Sequence, residues 1–88
     1  MHSIDLHRCR VCGLFLEDPP WGYDEKTPLY EYCPCCGVEF GYQDATPIGA
    51  RAYREEWLAA GAKWDEPTMR PASWSASEQL RFVPEEFR

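Results

Sequence analysis

Four cysteines in this chain fall into two matched groups, Cys9-Arg10-Val11-Cys12-Gly13 and Cys33-Pro34-Cys35-Cys36-Gly37, with 20 residues between the pairs. A C-x-x-C turn places two thiolates close enough to share one metal ion, and the glycine that follows relaxes the turn. Two such turns brought face to face offer four sulfurs in a tetrahedron. Cys9, Cys12, Cys33 and Cys36 are therefore the candidate metal ligands. Gly13, Gly37 and the residues after them are the expected source of N–H groups that offset the thiolate charge.

Disulfides and redox chemistry are the competing uses of these thiols. The chain has five cysteines, an odd number, and its opening residues lack a secretory apolar region. A reducing cytoplasmic setting is then expected, where stable disulfides are rare. A thioredoxin-like motif needs one C-x-x-C in an alternation of strands and helices, which the pattern does not offer. Four thiolates suit Zn2+, and also the single Fe of a rubredoxin-like centre. A closed four-coordinate thiolate site leaves no position for substrate or water, so its metal is structural. Cys35 is left over and is expected to point away from the metal as a free thiol, packed or at the surface. His7 stands close enough to replace a cysteine, but it and His2 read as ordinary polar residues near a loose terminus.

Charge limits the partners. The net charge is −6. Residues 1–45 carry three basic and eight acidic side chains, and residues 46–88 carry six and seven. Nucleic-acid modules neutralise phosphates with Lys/Arg surfaces. The cysteine-bearing half offers only Arg8, Arg10 and Lys26 for that purpose, so nucleic acid is disfavoured and a protein partner is expected by elimination. No catalytic set stands out. Asp24-Glu25 and Glu55-Glu56 read as solvated surface, and Ser73, Ser75 and Ser77 have no histidine nearby in sequence. The expectation is not an enzyme. No apolar run reaches the roughly 20 residues of a membrane span, so the chain reads as soluble.

The elements that must position the cysteines follow from patterning. Tyr30-Glu31-Tyr32 and Val38-Glu39-Phe40 alternate on either side of the second pair, and Leu14-Phe15-Leu16 follows the first, which predicts short antiparallel strands. Glu17-Asp18-Pro19-Pro20-Trp21-Gly22 marks a loop. Thr46 can cap and Pro47 suits a first helical turn, which predicts a helix over 46–64 with Gly61 as its stop. Tyr53, Trp57, Ala60 and Trp64, widened by Leu58, form one apolar stripe that would cover the cysteine half. Ser75-Ala76-Ser77-Glu78 has the form of a capping box and opens a short helix over 75–83. Trp74, Leu80 and Phe82 could dock that piece, and Phe87 lies near a terminus where disorder concentrates. At this length one domain over 1–88 is expected, and so small a core often needs a metal staple.

Cys33-Pro34-Cys35-Cys36-Gly37, paired with Cys9-x-x-Cys12-Gly13 and followed by Tyr53-Arg54-Glu55-Glu56-Trp57-Leu58 and Gly61-x-x-Trp64, resembles the small bacterial cysteine-rich CPCC proteins. That resemblance covers residues 7–64 and implies zinc and a bacterial cytoplasmic setting. The same cysteine pattern resembles rubredoxin, which implies one iron held by Cys9, Cys12, Cys33 and Cys36 and an electron-carrier role. The chain continues well past Gly37 into an aromatic helix that rubredoxins lack. The expected architecture is therefore α+β: a zinc ribbon of β hairpins with metal knuckles over 8–44, packed against a longer helix and a short final one. The expected function is a zinc-stabilised protein-interaction module. An iron electron carrier and a nucleic-acid-binding ribbon are the alternatives.

Overall fold

The computed structural model describes residues 6–88; His2 lies outside them. The two cysteine turns are built alike. Cys9 N–H donates to the Leu14 carbonyl, Gly13 N–H to that of Cys9, and Leu16 N–H to that of His7. In the second turn Cys33 N–H donates to Val38, Gly37 N–H to Cys33, and Phe40 N–H to Glu31. Each bond in one turn has its counterpart in the other. The two knuckles are thus copies of one local structure, and Gly13 at φ +84° and Gly37 at φ +81° occupy equivalent left-handed corners.

The expected β hairpins do not form. Among the described residues there are no strands, only two isolated antiparallel bridges, Arg8 to Phe15 and Tyr32 to Glu39. The physical reason lies just beyond each bridge. Tyr30 at φ 57° and Gly41 at φ +105° turn the second pair of arms into the left-handed region, where a ladder cannot continue. Pro19 and Pro20 break the outgoing arm of the first. The alternation in Tyr30-Glu31-Tyr32 is real, but it covers a single rung. The segment from Pro19 to Pro28 is instead a chain of turns, closed by Thr27 N–H to the Trp21 carbonyl and Leu29 N–H to that of Pro20.

Helix α1 spans Pro47–Ala59, opened by Thr46, whose hydroxyl accepts from Gly49 N–H at 3.0 Å. Gly61 and Ala62 both have positive φ and end it. The buried side of α1 is narrower than the stripe suggests. Ala50 and Trp57 are buried, Tyr53 and Arg54 are half-buried, while Leu58 and Ala60 face solvent. Trp64 follows the helix but rejoins the core through an aromatic cluster: the Trp74 ring meets Trp57 at 6.3 Å and Trp64 at 5.5 Å, both edge to face. Helix α2 is a single turn and a half, Ala76–Leu80, capped by the Ser75 hydroxyl accepting from Glu78 N–H. Single 3-10 turns lie at Pro67–Met69 and Glu85–Phe87.

The core sits between the knuckles and these helices. It comprises all five cysteines with Val11, Val38, Phe40, Ala50, Trp57, Trp64, Val83 and Phe87. Phe87 corrects the expectation of a loose end. Its ring is buried, and the Arg10 guanidinium is sandwiched between it at 4.3 Å and Trp21 at 4.2 Å. Phe82 remains half exposed, but Arg8 stacks on it at 4.3 Å. Asp44 is the one buried polar side chain among the described residues; its carboxylate accepts from Trp21 Nε1 at 2.9 Å and from Gly41 N–H at 2.8 Å. The first bond ties the turn segment to the chain that leads into α1, and the second closes a local turn in that chain.

Candidate metal centre

The knuckles face each other with their sulfurs inward. Cys9 Sγ lies 3.7 Å from Cys36 Sγ, and Cys12 Sγ lies 3.7 Å from Cys33 Sγ. All four sulfurs fall within 4.8 Å of one another, and all four residues are buried. Four sulfurs at about 2.3 Å from a central ion define a tetrahedron with edges of about 3.8 Å. The two cross-knuckle contacts match that edge. A disulfide needs about 2.05 Å, and all five cysteines are free thiols. The donor set therefore fits a single tetrahedral thiophilic ion, and the cluster can hold one.

The surroundings of the sulfurs differ from one to the next. Val11 N–H points at Cys9 Sγ at 3.4 Å. The glycine N–H groups, expected to serve the sulfurs, are used instead by the Cys9 and Cys33 carbonyls that close each turn. Burial pushes the Cys12 and Cys36 thiols up, while hydrogen bonds led by the one from Cys12 hold Cys33 well below the usual thiol range. A cation at the centre of the cluster would favour the ionised form of these thiols.

Both helices hold the knuckles from outside. Adjacent residues of α1 divide the task. Tyr53 Oη donates to the Cys36 carbonyl at 3.1 Å, and Arg54 donates through Nε to the Val11 carbonyl at 2.6 Å and through Nη2 to the carbonyls of Arg10 and Phe87. Burial lowers the pKa of Arg54, and the charges of Cys9 and Cys12 raise it, so its cation lies in the field of the thiolates. From α2, Gln79 Nε2 donates to the Cys12 carbonyl at 3.2 Å and approaches Cys35 Sγ at 3.4 Å, while its Oε1 accepts from Trp74 Nε1 at 2.8 Å. Sequence patterning places Tyr53 on the apolar stripe, but gives Arg54 and Gln79 no role at the site. Their signal is weak: a charged or amide side chain within an otherwise solvated helix.

Cys35 is not one of the four mutually close sulfurs, although a hydrogen bond with Cys12 lowers its pKa, and it is completely buried, so its side chain is packed rather than surface-lying. His7 is not part of the group either. Its Nδ1 donates to the Leu16 carbonyl at 2.9 Å and its ring stacks on Phe15 at 5.5 Å, which leaves it serving the outside of the first knuckle. Asp24 binds its own turn, accepting from Lys26 N–H and Thr27 Oγ1. Among the described residues, no helix is long and apolar enough to cross a membrane.

Comparison with known proteins gives two relatives from one organism. The chain is 26% identical to the uncharacterized protein YozI of Bacillus subtilis (strain 168) over 93 aligned residues, covering 88% of this chain and 77% of that one. It is 29% identical to the uncharacterized protein YoaQ of the same organism, covering 86% of this chain and 77% of that one. No family model matches, and no solved structure matches.

Proposed function

We propose that Cys9, Cys12, Cys33 and Cys36 hold one Zn2+ in a closed structural site, and that the chain is a small protein-interaction module stabilised by that metal. The observation that carries this reading is the pair of 3.7 Å sulfur contacts running between, not within, the two knuckles. One ion at that point links chain segments that no sheet joins, which is the role of a structural zinc in a domain with little core. The site carries no catalysis in this reading, because four buried thiolates fill the coordination sphere and leave no open position. The resemblance to the CPCC proteins supports zinc and a bacterial cytoplasmic setting.

A protein partner is favoured over nucleic acid on charge. The cysteine half carries three cations against eight carboxylates, and two of those cations, Arg8 and Arg10, lie stacked on aromatic rings. The rubredoxin-like reading rests on the same four sulfurs, since thiolates take iron as well as zinc. Metal analysis and colour of the purified protein separate the two: zinc gives a colourless chain with one ion, iron a red one that is reversibly reduced.

A further inference from the structure

The arms leaving the two knuckles converge on a shallow groove of about 150 Å³ that is partly apolar and partly polar. Its floor is Phe40, buried, and Leu16, half-buried; these two occupy equivalent positions in the paired knuckles. Leu29 and Tyr32 rise beside them, 38% and 63% exposed. Around this apolar centre stand Glu17, Asp18 and Glu31, all exposed, and every charged residue lining the groove is acidic. None of the three carboxylates makes an ion pair among the described residues.

We infer that this groove docks a basic, apolar-bearing peptide segment of a partner protein, with an aliphatic or aromatic side chain on Phe40 and Leu16 and Lys or Arg against Glu17, Asp18 and Glu31. This deepens, and rests on, the reading of the chain as a protein-interaction module. Charge complementarity selects the occupant. The groove is uniformly negative, the chain as a whole is −6, and four thiolates with one divalent ion would add a further negative centre behind Pro34, which lines the groove between Cys33 and Cys35. The same field repels phosphate backbones and anionic membranes. An exposed tyrosine beside leucines, rimmed by charge, is the composition of an interface centre and not of ordinary solvated surface. The positions are also rigid. Glu31 accepts from Phe40 N–H through its carbonyl, and Leu16 N–H is bonded to His7, so both walls are fixed to the knuckles.

The test is selection of a random dodecapeptide phage library on the zinc-loaded chain, followed by titration of synthetic versions of the enriched peptides. The expected result is enrichment of sequences that pair Lys or Arg with a large apolar residue. Their binding should weaken about tenfold or more in the triple variant Glu17→Gln, Asp18→Asn, Glu31→Gln, should fall with rising salt, and should be unchanged in Glu55→Gln, Glu56→Gln on α1. Leu29→Ala should weaken it as well, which a purely electrostatic attraction would not show. Enriched peptides that are neutral or acidic, or that bind the triple variant and the wild type alike, would overturn the groove while leaving the interaction-module reading intact. No enrichment over uncoated support, from protein with full metal content, would count against both.

Discussion

Arg54 donates to the Val11 carbonyl at 2.6 Å while its neighbour Tyr53 donates to the Cys36 carbonyl at 3.1 Å. Two consecutive residues of one helix thereby grip the two knuckles, and α1 becomes the splint that keeps the paired turns facing each other. The grip acts on backbone carbonyls, so it sets the positions of the cysteines without using their sulfurs.

Removing that grip should cost stability and not metal. Arg54→Ala leaves the carbonyls of Arg10, Val11 and Phe87 without their donor, and each such loss costs about 1–3 kcal/mol where the group stays buried. Chemical denaturation of the zinc-loaded protein should show a loss of a few kcal/mol, with the metal stoichiometry unchanged. Arg54→Lys should recover only part of it, because an ammonium cannot reproduce the planar fork. Tyr53→Phe, losing one neutral bond, should cost about 1 kcal/mol.

Gly13 in the first knuckle and Gly61 at the end of α1 should respond unequally to a methyl group. At Gly13 an added Cβ would lie 2.4 Å from the Gln79 carbonyl oxygen, in a residue already at φ +84°. At Gly61, φ +105°, the nearest atom is 3.7 Å away, in a flexible lysine side chain. Gly61→Ala should therefore cost about 1 kcal/mol of backbone strain. Gly13→Ala should cost clearly more and displace α2, visible as loss of the Gln79 and Trp74 signals from their native NMR positions.

Cys35 and Cys36 are neighbours with opposite expected fates. Cys36→Ser removes a sulfur from the four-membered cluster and should abolish stoichiometric metal binding and the folded state with it. Cys35→Ser should retain one metal ion per chain, because its sulfur faces Gln79 and lies outside the cluster. Loss of metal from the Cys35 variant would show that the ligand set has been assigned wrongly.

Acid should release the metal. Thiolate ligands must be deprotonated to bind, so protons compete with the ion and affinity falls as pH drops. A chromophoric chelator should extract the ion progressively faster below neutral pH, with far-UV circular dichroism lost in step with the release.

The site was legible in the sequence because its information is local. The spacing within Cys9-x-x-Cys12-Gly13 and Cys33-Pro34-Cys35-Cys36-Gly37 fixes two turns before any tertiary contact exists, and the structure brings those sulfurs together. The Thr46 and Ser75 caps are local signals of the same kind. The β hairpins were misread because alternation over three residues is the same for one rung as for a strand. Only the backbone angles at Tyr30 and Gly41 tell them apart, and sequence pattern does not carry those. Arg54, Gln79 and Phe87 were missed for a different reason. Their importance arises from contacts with Val11, Cys12 and Arg10, residues far away in the chain, and no periodicity records such pairs.

Metal analysis of the protein purified in reducing buffer, by mass spectrometry under native conditions, tests the central claim most directly. The expected result is a colourless protein with one zinc ion per chain and all five thiols reduced, unfolding when a strong chelator removes the ion. A chain that folds with no stoichiometric metal, or one that carries a single redox-active iron, would contradict it.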